Sequence, residues 1–539
     1  MKKIGFSFLV LLFLNFLSSA QNQRNSQNNQ SSEHLNNINK LGTVYSSITR
    51  FYVDETNNSK IVEDAIKGIL ENLDPHSTYT NAEETRKLNE PLEANFDGIG
   101  ITFNMLLDTL YITQVHAGGP SQKVGLLAGD RIVKVDDTPI AGVNMANSDI
   151  IKLIRGKKGT LVRIFVKRSS SPDLLEFLIT RDNISIYSID ACYMADATTG
   201  YIRLSRFAST TINEFKTALY RLQKEGMKNL ILDLQENGGG YLHIAYALAD
   251  QFLDSGRLIV YTQGDKMRRS DAISTDDGLF TKGKLVILIN EGSASASEIV
   301  AGAIQDWDRG VIVGRRSFGK GLVQRSFDLP DSSMIRLTVA RYYTPSGRYI
   351  QKPYEKGNSY AYKHDLIDRY NKGELLSADS IHFPDSLKYQ TLISKRTVYG
   401  GGGIMPDIFV PIDSARFTPY HSRLNGMGVI YRFSMRYLDS YRKELQKLYP
   451  NFKIFKDKFN ISDALLVELQ DMGTENNVLF NEDQFNKSKE YLSLQLKALI
   501  ANALFDNSEY FEIINARSDS FLCALEIIND DDVYFKILK

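Results

Sequence analysis

The sequence predicts an α/β protein, with a largely parallel sheet between residues 184 and 415, a β-rich module before it and helical regions at both ends. Three observations predict it. Buried-strand patterns at 201–207, 230–234, 258–261, 285–290 and 311–313 are interleaved with helical periods, the signature of crossover connections in a parallel sheet. Short alternating strands separated by glycine turns fill residues 96–183. Charge-mixed helical periodicity without a chemical motif runs from 416 to 539. A chain of 539 residues needs such a division, because single cores stop growing at roughly 250 to 300 residues.

From the amino terminus, Met-Lys-Lys, an apolar run from Ile4 to Leu17 and the small residues Ser18-Ser19-Ala20 read as a secretory signal peptide over 1–20. The run falls short of the roughly 20 residues of a spanning helix. Residues 21–39, rich in Asn, Gln and Ser, lack the apolar side chains that offset ordering entropy and read as a flexible tether. Residues 40–95 read as a small helical domain whose apolar face includes Ile61, Ala65, Ile66 and Ile69, broken at Asp74-Pro75. The β-rich module carries strands at 109–115, 131–135 and 162–166, with turns at Gly118-Gly119, Ala128-Gly129-Asp130 and 156–159.

Within the α/β region, Thr211 and Glu214 predict a capping box opening a helix whose apolar face is Ile212, Phe215, Leu219 and Leu222, stopped by Gly226. Further helices are expected at 242–253 and 296–306. The polar stretch 352–395 reads as an insertion near the surface of this core.

Composition excludes several function classes. With 64 basic and 64 acidic residues the chain has no net charge to draw in nucleic acid. Cys192 and Cys523 allow one disulfide at most, not a framework. No His-Glu-x-x-His or paired Cys-x-x-Cys spacing calls for a metal, and nothing in the sequence calls for a cofactor.

Three loops fall after the ends of parallel strands, where such sheets place their active sites. Asn237-Gly238-Gly239-Gly240 offers backbone N–H groups unobstructed by a Cβ. The run from Asn290 to Glu298 leads from a buried strand into a helix start, where orphan N–H groups favour an oxyanion. It holds Ser293, Ser295 and Ser297, each a candidate nucleophile or helix cap, and periodicity does not choose among them. The third loop, 314–321, nearly matches a phosphate-binding loop but has Gly321 where that motif needs a hydroxyl. Its Lys320 is either a solvated turn lysine or a lysine drawn into a dry site, where desolvation frees its amine to act as a base.

Together these residues resemble the carboxy-terminal processing (tail-specific) peptidases. The resemblance covers about residues 40–415 and rests on motifs in a fixed order: 73–77 (Leu-Asp-Pro-His-Ser), 96–101, 128–130, Asp233-Leu234 with the glycine loop, 292–299, 318–321, 343–348 and 402–407. It implies a crotonase-like peptidase core over 184–415 with a PDZ domain at 96–183. It further implies Ser295 as nucleophile, Lys320 as base, Gln324 orienting the lysine, and oxyanion donors at Ala296 and at Gly238 or Gly239. In the PDZ domain, Gly98, Ile99, Gly100 and Ile101 would cradle a substrate's terminal carboxylate beside a strand edge. One departure is visible, Gln235 where the family usually has arginine.

The expectation is therefore an exported, periplasmic serine endopeptidase acting on proteins with apolar carboxy termini, with scope for an activating or adaptor protein and for homo-oligomers. The alternatives are a catalytically silent or latent PDZ adaptor, a Ser-His enzyme using His243, and an acyl-CoA enzyme on the same core.

Overall fold

The structure is a computed structural model that describes residues 32–106, 108–116, 118–168, 170–413 and 416–539. The predicted leader and the tether as far as residue 31 lie outside the described residues. From residue 32 the chain is helical to residue 51, so the last eight positions of the expected tether belong to a helix.

The central sheet has six strands in the order Ile189–Met194, Thr199–Leu204, Asn229–Asp233, Leu285–Ile289, Val311–Gly314 and Ile408–Phe409. The first pairing is antiparallel and the other four are parallel. Every residue of Leu285–Ile289 is buried, as expected of a strand covered on both faces. Leu230, Leu232, Leu285 and Ile287 face one layer, built by helices Thr211–Lys224, Leu242–Asp250 and Ala296–Asp306. Ile231, Val286 and Leu288 face the other, where Phe521, Ala524, Ile527 and Ile528 of helix Asp519–Asn529 cover them. The last helices of the chain therefore complete the catalytic core's second layer, and the remaining carboxy-terminal helices form cores of their own.

Three expectations are corrected here. The strand at 258–261 is real, but Leu258–Gly264 lies in a second, antiparallel sheet between Met267–Ile273 and Met334–Tyr343. No helix between residues 264 and 285 carries the chain across, so it folds back as a hairpin. Helix Thr211–Lys224 lacks the predicted capping box: its N-cap is Thr210, and Glu214 instead accepts from the Ser188 N–H and hydroxyl at 2.8 and 2.9 Å. Among the described residues the amino-terminal helices enclose no core of their own. In Asn58–Glu71 Ala65 and Ile69 are exposed and Leu70 is the buried residue, because 3.6-residue periodicity reveals an apolar stripe without saying what covers it.

The β-rich module is a five-strand antiparallel path from Ile101–Leu106 to Leu175–Thr180, with a short extra strand, one main helix at Asn147–Ile154 and a separate core. Ile101–Leu106 is an edge strand of this sheet. Helix Val429–Leu448 braces the module: the Tyr431 hydroxyl donates to the Ile112 carbonyl at 3.3 Å and the Arg442 guanidinium to the Ala128 carbonyl at 2.6 Å. The polar insertion is more deeply seated than expected, with buried Arg369 of helix Ser359–Asn371 donating to the Ser317 and Arg316 carbonyls just before Lys320. Cys192 and Cys523 are free thiols on opposite faces of the central sheet, so they form no disulfide. Among the described residues no helix is long and apolar enough to cross a membrane.

Candidate active site

The three expected loops converge at the carboxyl ends of the parallel strands. Asn237, fully buried, ties two of them together: its amide donates to the Leu204 carbonyl at 2.7 Å, and its side-chain oxygen accepts the Gly239 N–H at 2.9 Å. Its backbone carbonyl accepts from the Ala294 N–H at 3.0 Å and the Ser297 hydroxyl at 2.8 Å.

These bonds separate the three serines. Ser293 donates its hydroxyl to the Leu234 carbonyl at 2.7 Å, and Ser297 is held by Asn237. Both hydroxyls hold the turn together. Ser295 is the N-cap of helix Ala296–Asp306, its hydroxyl proton has no acceptor among the described residues, and its backbone sits at φ 54° and ψ −108°. A non-glycine residue held there costs about 1 to 3 kcal/mol, and such strain concentrates at active sites.

Ser295 opens into a cleft of about 660 Å³ that also takes in Gly238, Gly239, Lys320 and Gln324. Ala296 is buried behind it as the first residue of its helix, where the N–H has no intrahelical partner. Gly239 touches Ser295 so closely that a Cβ on it would lie 2.9 Å from the Ser295 Cβ, whereas a Cβ on Gly238 would meet nothing within 4 Å. The Gly239 N–H is spent on Asn237, while that of Gly238 has no acceptor among the described residues.

Lys320 makes no ion pair among the described residues, and its pKa falls to about 8. Burial is the main cause, the Arg336 charge adds to it, and Glu298 and Asp74 oppose it. Gln324 sits beside it in the cleft with its amide donating to the Leu322 carbonyl at 3.1 Å and the Thr338 hydroxyl at 3.3 Å. Thr338 in turn donates to Asp74 at 2.9 Å, and Asp74 accepts the Ser77 hydroxyl at 2.6 Å. The 73–77 motif thus buttresses the strand pair that carries Gln324.

Sequence reasoning gave no role to Glu298, the residue that joins the Ser295 loop and the Lys320 loop. It is fully buried, and its carboxylate accepts the N–H groups of Ser295, Gly319 and Lys320 at 2.8, 2.7 and 2.9 Å and the Ser317 hydroxyl at 2.5 Å. Burial raises its pKa against the pull of these four donors. Its spacing three residues after Ser295 was the available signal, since a capping box puts Glu there. Buried Tyr342 adds a second link, its hydroxyl within 3.3 Å of the Ser295 carbonyl and in contact with that of Lys320.

His243 lines the cleft, but its exposed ring stacks on Tyr241 at 5.4 Å and has no hydrogen bond to Ser295. Gln235 points away, its amide 3.5 Å from the Ser520 hydroxyl. Among the described residues no group of three His, Cys, Asp or Glu side chains could hold a metal.

In the β-rich module, Ile99, Gly100 and Ile101 line a small groove with Phe103, Ile151 and Ile154, between the edge strand and the helix. Gly100 has φ +75°, and its carbonyl accepts the His116 N–H at 3.0 Å. Gly98 lies outside that lining, closing strand Asn95–Gly98 against the Phe96 ring. Arg155 at the groove's mouth stacks over Phe96 at 4.5 Å and pairs with Glu90. Glu90 belongs to helix Ala82–Glu93, whose Leu88 and Leu92 line the catalytic cleft.

Comparison with known proteins identifies the family. The profile of peptidase family S41 matches residues 198–357, that of the PDZ domain residues 98–178, and that of the activating protease CtpB N-terminal domain residues 5–85. A family of unknown function matches residues 420–506. The chain is 36% identical over 317 residues to a carboxy-terminal-processing protease of Bartonella bacilliformis, covering 58% of this chain and 72% of that protein. It is 33% identical over 344 residues to the carboxy-terminal processing protease CtpA of Bacillus subtilis, covering 64% and 72%. Among solved structures, the photosystem II D1 C-terminal processing protease matches at 29% identity and a TM-score of 0.33, over 57% of this chain and 88% of that one. Fold and site define a PDZ-containing peptidase of family S41. The chain belongs to the carboxy-terminal processing proteases.

Proposed function

We propose that this protein is an exported serine endopeptidase that takes substrate tails in its PDZ groove and cuts peptide bonds with a Ser295–Lys320 dyad. The observation that carries the reading is that Ser295, held at positive φ, has a hydroxyl proton without an acceptor among the described residues, in the cleft that also holds a lysine free of ion pairs among them. Neutral Lys320 takes that proton as Ser295 Oγ attacks the scissile carbonyl, then returns it to the leaving amine, and water releases the acyl group. The Ala296 N–H and the unengaged Gly238 N–H receive the oxyanion. Gln324 lines the same cleft with its amide nitrogen already occupied, which leaves its side-chain oxygen to orient the lysine ammonium.

Export rests on the leader pattern of residues 1–20 and implies the periplasm in a Gram-negative cell. The apolar lining of the PDZ groove favours tails ending in apolar residues. The direct test is to quench turnover of an unfolded reporter with an apolar tail in acid and locate the acyl group by mass spectrometry. The adduct is expected on Ser295 and absent from Ser295→Ala; an adduct elsewhere, or cleavage by Ser295→Ala, overturns the reading. Gly239→Ala is expected to lower kcat by about 10² with tail binding unchanged, measured by steady-state kinetics, since Gly239 has φ +102° and a Cβ there would press on Ser295.

A further inference from the structure

Two arginines in the cleft have no side-chain partner among the described residues. Arg206 and Arg336 both line the cavity that holds Ser295 and Lys320. Both are half-buried, and neither forms an ion pair or a side-chain hydrogen bond among the described residues. Elsewhere in the core, four half-buried or buried guanidinium groups are matched by carboxylates: Arg203 with Asp233, Arg316 with Glu374, Arg348 with Asp306 and Arg396 with Asp308. Among the described residues no aspartate or glutamate lines the cleft. Asp190, which feels the Arg206 charge, accepts the Ser205 hydroxyl at 2.9 Å instead.

The two arginines stand on opposite walls. Arg206 immediately precedes Phe207, whose N–H donates to the Gly239 carbonyl at 3.0 Å and whose backbone bridges Gly240, so it flanks the glycine loop. Arg336 lies on strand Met334–Tyr343 opposite Ser326, in the hairpin that follows Lys320, so it flanks the lysine side. Ser295 lines the same cleft. Withdrawing a guanidinium from water without a counter-charge costs stability, and a planar two-pronged donor is best satisfied by a carboxylate. Apolar Leu88, Pro91, Leu92, Leu322 and Val323 supply the rest of the lining.

We infer that Arg206 and Arg336 are specificity residues that receive aspartate or glutamate side chains of the substrate on the two sides of the scissile bond, so that the cleft selects acidic segments with apolar residues at the cut. This rests on the dyad reading for which bond is cut. The PDZ groove selects the tail, and the two arginines select the cut site within the body of the substrate.

The test uses internal peptides with amidated carboxy termini, which deprive the PDZ groove of its carboxylate, in isosteric pairs bearing Glu or Gln, and Asp or Asn, around one apolar cleavage position. Binding is measured by fluorescence anisotropy on the full chain carrying Ser295→Ala, and cleavage by the unmutated protein is mapped by mass spectrometry. The acidic peptides are expected to bind about tenfold more tightly than their amides. That preference should vanish in Arg206→Gln and Arg336→Gln and persist in part in Arg206→Lys and Arg336→Lys. Equal binding of acid and amide peptides, or a preference untouched by the glutamine variants, overturns the inference. Cleavage by Ser295→Ala would sink the dyad reading alone, because the binding comparison does not depend on turnover.

Discussion

Lys320→Ala is expected to lower kcat/KM on a tail-bearing substrate by about 10³ to 10⁴, the scale set by loss of a general base. Lys320→Arg should be as inactive, because a guanidinium does not give up its proton near neutral pH. The unmutated enzyme supplies the more discriminating measurement, its pH profile. Only the neutral amine accepts the serine proton, so activity should rise with pH and level off above about 8, where burial and the Arg336 charge have brought the Lys320 pKa. Below that value the slope should be about one decade per pH unit. Arg336→Gln removes a charge that disfavours the ammonium, so the rise should move to higher pH. A profile flat between pH 6 and 10, with Lys320→Ala fully active, would remove lysine from the mechanism.

Much of this arrangement was legible in the sequence because it lies in local patterns. Helix Ala296–Asp306 and the four parallel strands Thr199–Leu204, Asn229–Asp233, Leu285–Ile289 and Val311–Gly314, which position the loops, follow from hydrophobic runs between turns. The motifs placed Ser295, Lys320 and the glycine loop, and the structure brings them to one cleft. What was not legible depends on partners distant in the chain. Periodicity left Ser293, Ser295 and Ser297 equal and only the resemblance favoured Ser295; the physical reason lies in the Leu234 and Asn237 carbonyls, about sixty residues earlier, which engage the other two hydroxyls. Strand Leu258–Gly264 reads as one more parallel strand until its antiparallel partner Met334–Tyr343 is seen. The last helices carry an ordinary amphipathic pattern, and nothing in it tells that Phe521 and Ile528 cover the catalytic sheet rather than a separate domain. The unmatched state of Arg206 and Arg336 likewise concerns what is missing around them.

Glu298 is the residue whose loss should do most damage beyond the dyad itself. Its carboxylate is the common acceptor for the backbone of Ser295 and of Lys320, with Gly319 and Ser317 as further donors. In Glu298→Ala these four donors lose a buried acceptor, at about 1 to 3 kcal/mol for each that finds no substitute. A loss of about 4 kcal/mol in unfolding free energy is therefore expected, read from denaturant midpoints, and kcat should fall by about 10³ because nucleophile and base are no longer held to one anchor. Glu298→Gln separates position from stability. It keeps the shape and one acceptor oxygen, but it turns an NH₂ toward N–H donors and so breaks part of the clamp. Its stability loss should be smaller than that of alanine, while kcat still drops by about 10² and tail binding in the PDZ groove stays unchanged. Should Glu298→Gln unfold at the same midpoint and turn over at the unmutated rate, the clamp would have no part in setting the dyad. The charge of Glu298 also raises the Lys320 pKa, so whatever activity the glutamine variant retains should rise at lower pH than in the unmutated enzyme. A purely structural residue would leave that midpoint where it was.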